Sequence, residues 1–155
     1  MITRYANIND TIEILRMDEK VIHSSSRSGY LSEMIDHHRC LVAEQNASIS
    51  GFLTFDTNFF GYWFISLVIV DPAYRQKGIA TALIKHLEKL CPTSKLFTST
   101  NQSNLPMHNL CDRLGYLKTG IIENLDEGDP EIIYFKRLAD VNANLIIDHL
   151  VVHRS

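Results

Sequence analysis

The sequence predicts one α+β domain around a mainly antiparallel sheet, with about seven strands and about four helices. Three observations predict it. Short runs rich in Val, Ile, Phe, Leu and Tyr recur along the chain, separated by polar or glycine-containing turns. Other segments carry their apolar residues at the helical period instead. Finally, 155 residues at 45% hydrophobic and 21% charged composition have the size and balance of a single folded domain.

The elements follow in order. Ile2 to Ala6 is short and β-leaning. Asn9 or Asp10 is placed to cap a helix with apolar positions Ile8, Ile12, Leu15 and Ile22. His23 to Gly29 (HSSSRSG) reads as a loop, and Tyr30, Leu31, Met34 and Ile35 form the stripe of a second helix after Ser28. From Cys40 the period changes, and 40–45, 48–56 and 62–70 read as three successive antiparallel strands. The last of these (YWFISLVIV) is almost wholly apolar, which predicts burial on both faces.

Asp71-Pro72 ends that strand. Ile79, Ala80, Leu83, Ile84 and Leu87 then give the clearest helical stripe, closed by Pro92. Lys95 to Thr100 is a strand. Asn104 caps a short helix with Pro106 in its first turn, Met107, Leu110, Cys111 and Leu114 on one face, and Gly115 at its end. Two strands fit 116–122 and 131–137, separated by the acidic loop Glu123 to Pro130. The domain therefore spans 1–137. Residues 138–155 form an extension in which Leu145, Ile146, Ile147, Leu150, Val151 and Val152 fit a helix or a strand.

Several function classes are disfavoured. Fifteen Lys and Arg against eighteen Asp and Glu leave a net charge of −3, which gives no general attraction to nucleic acid or an anionic membrane. No apolar run approaches the roughly 20 residues of a bilayer span, and no apolar block follows Arg4 as a secretory signal would. Cys40, Cys91 and Cys111 are sparse and form no C-x-x-C pair, against a disulfide framework or a structural zinc site. His37 and His38 are adjacent rather than four apart, so no metal site is expected there. A cytoplasmic protein is the expectation.

The segment Leu67 to Ala82 (LVIVDPAYRQKGIATA) carries chemistry. A turn that leads into a helix N-terminus aims several backbone N–H groups at one spot, where the helix dipole adds positive charge. Such a place suits a phosphate or pyrophosphate. Gly78 removes a side chain that would block close approach, and Arg75 and Lys77 can add charge-assisted bonds.

The pattern V-x-V-x-P-x-Y-R-x-K-G-I-A, between a strand and an amphipathic helix, resembles motif A of the GNAT superfamily of acetyl-CoA-dependent N-acetyltransferases. Downstream, Asn104-x-x-Met107-x-x-Leu110-Cys111-x-x-x-Gly115-Tyr116 is similar to that family's second block at matching spacing. The resemblance covers roughly residues 2–137. It implies a mixed sheet splayed between strands 4 and 5, the gap receiving the cofactor. It assigns Arg75, Gln76, Lys77, Gly78, Ile79, Ala80 and Thr81 to the pyrophosphate of acetyl-CoA. Val68, Ile69 and Val70 would pair through their backbone with the pantetheine arm, and a backbone N–H near Val68 or Val70 would stabilise the oxyanion. Asn104 would bond the cofactor besides capping its helix.

The chain departs from the family pattern at two places. Many members protonate the leaving thiolate with a Tyr where this chain has Cys111, a thiol that is a conceivable donor or simply a packing residue. Some carry a Glu base where this chain has Ser99, so no base is assigned. His108 is a helix histidine expected to be inert, and Tyr116 and Tyr134 are expected as core aromatics with solvated hydroxyls. Asp126, Glu127, Asp129 and Glu131 would favour a cationic acceptor. The implied function is acetyl transfer from acetyl-CoA to a primary amine without a metal. The alternative is a non-catalytic acyl-CoA-binding or regulatory module. The 138–155 extension would cover an edge of the domain or mediate a homodimer.

Overall fold

The computed structural model describes residues 1–138. One seven-stranded mixed sheet organises them, in the strand order β1-β2-β3-β4-β5-β7-β6. The strands are β1 (Ile2–Tyr5), β2 (Cys40–Gln45), β3 (Ser48–Phe59), β4 (Tyr62–Val70), β5 (Lys95–Asn101), β6 (Leu117–Ile122) and β7 (Glu131–Arg137). The helices are α1 (Thr11–Ile22), α2 (Ser28–Asp36), α3 (Ile79–Leu90) and α4 (Leu105–Arg113), with 3-10 turns at Ile8–Asp10 and Pro72–Tyr74. The expected element order therefore holds. The sheet adds one inversion: β7 inserts between β5 and β6, pairing antiparallel with both. The expected residues 139–155 of the extension lie outside the described chain.

The chain condenses into two compact units. The first is Met1–Phe55 with Ser66–Lys89, and the second is Asp56–Ile65 with the chain from Leu90 onward. In the first, β1 pairs antiparallel with β2, and β2 with β3. The β2–β3 connection is the two-residue loop Asn46–Ala47, with φ of 50° and 61°, the paired positive values that a type I′ hairpin requires. Its core joins Ala6, Ile14, Met17, Leu31, Ile35, Cys40, Val42, Ile49 and Phe52.

That core corrects the expected stripe of α1. Ile8 and Ile12 are 76% and 63% exposed, whereas Ile14 and Met17 are buried together with Asp18. The register is set by a polar contact: Asp18 accepts from Arg27 at 2.5 and 3.1 Å, which makes burial of that carboxylate tolerable and turns its face inward. Arg27 thereby fixes the start of α2, which includes Ser28 and Gly29 that the loop reading had left out.

The cap differs too. Asp10 is the N-cap residue of α1, as expected of it, but makes no side-chain cap bond there; Asn7 caps the preceding 3-10 turn, and Asp10 closes that turn's capping box by accepting from the Asn7 backbone N–H at 2.8 Å. Arg4 donates to Asp10 at 2.7 and 3.0 Å and to Glu44 at 3.1 Å. The Arg4 hydrogen bonds hold the Asp10 carboxyl below its ordinary value, against the opposing pull of burial. A depressed carboxyl stabilises the fold above its unfolded pKa, and that contribution is lost as pH falls through the folded value. Asp10→Ala should therefore cost about 1–3 kcal/mol at neutral pH in denaturant titration. The gap between parent and variant should narrow below about pH 4.

In the second unit, β4 and β5 pair in parallel at Trp63 with Leu96, Phe64 with Phe97 and Ile65 with Thr98. Thr98 Oγ1 donates to the Ile65 carbonyl at 3.1 Å at the last of these pairs. β5 alternates strictly: Leu96, Thr98 and Thr100 are buried, while Lys95, Phe97, Ser99 and Asn101 are half-buried. α4 packs on the buried face, as the contact of its His108 with Tyr134 records. β4 is a correction. Only Ile65 is fully buried and the rest of the strand is half-buried, so its continuous apolar run is not explained by burial on both faces.

Candidate functional site

The candidate site is built at the end of β4. Asp71 donates its backbone N–H to Ser50 O at 2.9 Å, and its carboxylate accepts from Ala73 N–H at 2.9 Å and pairs with Lys20 at 3.4 Å. These bonds anchor the 3-10 turn Pro72–Tyr74, with Pro72 supplying the fixed φ of its first position. The chain leaves the turn extended at Arg75 and then takes φ of +62° at Gln76 and +79° at Gly78. Left-handed residues interspersed in a turn bring successive N–H groups to one side, the arrangement of an anion-binding nest. Helix geometry leaves the first N–H groups of α3 without intrahelical acceptors at the same spot.

Residues 75–78 are all exposed. A Cβ at Gly78 would meet nothing within 4 Å, so the glycine answers to its positive φ and leaves the cradle open. Lys77 Nζ sits 5.7 Å over the Tyr74 ring, which keeps its cation beside the loop. Ile79, Leu83, Ile84 and Leu87 are buried and seat α3. Its first turn is seated by a residue that sequence reasoning passed over. At Gly51 on β3 a Cβ would stand 2.8 Å from Ile79 Cγ2 and 2.9 Å from Ile69 O. The absence of a side chain there lets the N-terminus of α3 close on the end of β4. A lone glycine inside an apolar strand was the available signal.

Val68, Ile69 and Val70 lie on β4 beyond Ile65, its last registered partner of β5. They are half-buried. Ala80 and Thr81 occupy the first turn of α3 and are half-buried as well.

In the second unit, Asn104 is exposed and its side-chain oxygen accepts from Met107 N–H at 3.3 Å, the expected cap of α4. Cys111 is 2% exposed. Burial, with a smaller push from Asp112, moves its thiol up to about 11. Tyr134 is fully buried, but its hydroxyl is not solvated as expected: it meets His108 Nδ1 at 2.5 Å. His108 Nε2 lies 3.1 Å from both the Asn101 and Gln102 carbonyls, which can only accept, so Nε2 carries a proton and Nδ1 accepts from the tyrosine. His108 thus ties α4 to β7 and to the end of β5. Burial first, then the proximity of Cys111 and Asp112, raises the Tyr134 pKa.

The acidic loop before β7 is also tied down. Ser99 Oγ donates to Glu131 at 2.7 Å, Asn101 to Asp126 at 2.8 Å, and Ser103 Oγ to Asp129 at 2.6 Å. Sequence spacing gave no signal for the Ser99–Glu131 bond, because it depends on β7 lying beside β5. Among the described residues, no group of three or more His, Cys, Asp or Glu could hold a metal ion. No helix among them is long and apolar enough to cross a membrane.

The geometry has counterparts in known proteins. Among curated protein sequences none matches. Among solved structures, a GNAT-family acetyltransferase from Bacillus cereus is 43% identical, with a TM-score of 0.86 over 89% of this chain and 97% of its own. YncA from Salmonella typhimurium, solved with its cofactor acetyl-CoA, shares the fold at 17% identity, with a TM-score of 0.73 over 90% and 94% of the two chains. An aminoglycoside 6'-N-acetyltransferase complexed with coenzyme A does so at 19% identity, with a TM-score of 0.73 over 90% and 98%. The model of the acetyltransferase (GNAT) family matches residues 8–116, which include the whole nest and the first turn of α3. The strand order, the Arg75–Gly78 nest and these matches agree, and the chain belongs to the GNAT family of acetyltransferases.

Proposed function

We propose that this acyltransferase moves an acetyl group from acetyl-CoA to a primary amine by direct attack. The observation that carries the reading is the Arg75–Gly78 loop, open at Gly78, with two left-handed residues and a helix N-terminus behind it. Arg75, Gln76, Lys77, Gly78, Ile79, Ala80 and Thr81 would hold the pyrophosphate through backbone N–H groups and two cations. The backbone of Val68, Ile69 and Val70 would pair with the pantetheine amides as an added strand does. Asn104 spends its side-chain oxygen on Met107, which leaves its amide N–H groups to donate to the cofactor.

The neutral amine attacks the thioester carbonyl carbon and its electrons move onto oxygen, where a backbone N–H of β4 stabilises the oxyanion. Collapse breaks the C–S bond, CoA leaves as the thiolate, and the amine proton passes to water. Positioning and the oxyanion contact supply most of the rate. The reading takes no metal ion and suits a cytoplasmic setting. The carboxylates of the loop before β7 favour a cationic acceptor.

The test is calorimetric titration of acetyl-CoA, followed by turnover with a panel of primary amines. Binding with turnover on at least one amine supports the reading. Binding with no turnover on any of them favours a non-catalytic acyl-CoA module, and a folded protein that does not bind acetyl-CoA removes both. Within this reading Cys111 is a packing residue. A thiol at about 11 gives up its proton to a thiolate of ordinary basicity only uphill. Cys111→Ala should therefore change kcat by less than about threefold. A loss near 100-fold with unchanged melting would restore it as the acid.

A further inference from the structure

The turn between β5 and α4 is held from the inside by one histidine. His108 Nε2 lies 3.1 Å from the carbonyl oxygens of both Asn101 and Gln102. The Asn101 carbonyl also accepts from the Asn104 backbone N–H at 3.0 Å, and the His108 backbone N–H donates to the Asn104 carbonyl at 3.2 Å. The ring and the backbone of His108 therefore bracket Asn104 from both of its peptide units. Tyr134 fixes the ring in turn. This fully buried residue of β7 bonds Nδ1 through its hydroxyl at 2.5 Å, with the ring centres 5.6 Å apart. Because Nδ1 accepts, the one proton of the neutral imidazole sits on Nε2, where the two carbonyls need a donor.

The other side of the same turn is tied to the loop before β7. Gln102 N–H donates to the Pro130 carbonyl at 2.8 Å, and Ser103 gives its N–H and its hydroxyl to Asp129 at 3.0 and 2.6 Å. Asn101 Nδ2 donates to Asp126 at 2.8 Å and to the Asp129 carbonyl at 3.2 Å. Every residue from Asn101 to Asn104 is thus bonded, in a turn whose side chains are mostly exposed. Asn104 closes the run with its Oδ1 on the Met107 N–H, which fixes the amide plane and leaves both Nδ2–H groups at its free end. A donor ordered before its ligand arrives costs less entropy on binding.

We propose that His108, locked by the Tyr134 hydroxyl, is the positioning residue that aims the Asn104 amide at acetyl-CoA. The inference rests on the reading that the Asn104 amide donates to the cofactor. His108 acts through the turn: its Nε2–H holds the Asn101 and Gln102 carbonyls, and the Asn101 carbonyl in turn holds the Asn104 backbone. Without that donor the two carbonyls lose a partner, and the cofactor must order the turn as it binds. Tyr134 contributes at one remove, by keeping the proton on the nitrogen that faces the turn.

The test replaces His108 in the full chain and reads acetyl-CoA affinity by calorimetry, KM against kcat with an amine that the parent acetylates, and melting. A glutamine side-chain nitrogen reaches the place of Nε2 and keeps the donor, whereas an asparagine oxygen reaches only the place of Nδ1. His108→Asn should therefore lose about tenfold in acetyl-CoA affinity, with kcat at saturating cofactor within about threefold of the parent. His108→Gln should hold its affinity within about threefold, whatever its melting temperature. Tyr134→Phe, which removes one hydroxyl, should lose about threefold. A folded asparagine variant that binds acetyl-CoA as the glutamine variant and the parent do, with melting alone lowered, would overturn the proposal. So would a loss confined to kcat. Asn104→Ser keeps a capping oxygen and removes the amide, so it separates the two readings. Its loss of about tenfold in affinity supports the contact that His108 serves. Binding as tight as the parent's would remove Asn104 from the cofactor, and the positioning role with it, while leaving the Arg75–Gly78 reading untouched.

Discussion

Gly78→Glu should lower acetyl-CoA affinity at least about 100-fold while the protein still folds. Two effects act in the same direction. At φ of +79° any residue with a Cβ strains the backbone by roughly 1–2 kcal/mol, which tilts the N–H groups of the nest. The carboxylate also stands in the open space before α3, where no protein atom lies within 4 Å of a Cβ. At about 4 Å and an effective dielectric of about 20, a like-charge pair costs about 4 kcal/mol before screening. The affinity loss asked for is about 2.7 kcal/mol, well inside that figure. Gly78→Ala separates the two terms, since it keeps the strain and omits the charge; it should lose less, about tenfold or under. Calorimetry on both variants, with circular dichroism as the check on folding, reads the outcome. A folded glutamate variant that binds as the parent does would show that the pyrophosphate sits elsewhere.

The order of elements was legible because each carries its own local signal. α3 shows it best: a stripe of Ile79, Leu83, Ile84 and Leu87 and a closing Pro92 need no tertiary knowledge. The loop before α3 was legible for the same reason, since Gly78 and the basic pair are contiguous in sequence. What failed depended on partners distant in the chain. The face of α1 turned on Arg27 neutralising Asp18, nine residues away, so apolar Ile8 and Ile12 point outward. The hydroxyl of Tyr134 found His108 because β7 lies beside β5 under α4, an adjacency that order along the chain does not reveal. The half-exposure of β4 belongs to the same class. An apolar run reports that water is unwelcome on a strand, without saying what will exclude it.

Gly51→Val should be the most damaging single change outside the loop itself, and it tests whether the nest is held from beneath. The strand position is buried, so the new side chain has no route to solvent. Its first carbon alone would fall 2.8 Å from Ile79 Cγ2 and 2.9 Å from the Ile69 carbonyl oxygen. The isoleucine can turn, but the carbonyl is main chain of β4, and moving it moves the strand proposed to pair with pantetheine. Overpacking of this kind costs about 1–3 kcal/mol, which for a chain of this size lowers melting by several degrees. The expected signature is paired: reduced melting temperature, and acetyl-CoA affinity down about tenfold or more even well below the melting transition. Gly51→Ala should show the same signs at smaller size. A valine variant that melts early yet binds acetyl-CoA as tightly as the parent would mean that α3 keeps its N-terminal N–H groups aligned by the Asp71-anchored turn alone, and that the contact between β3 and Ile79 serves stability and not the cofactor.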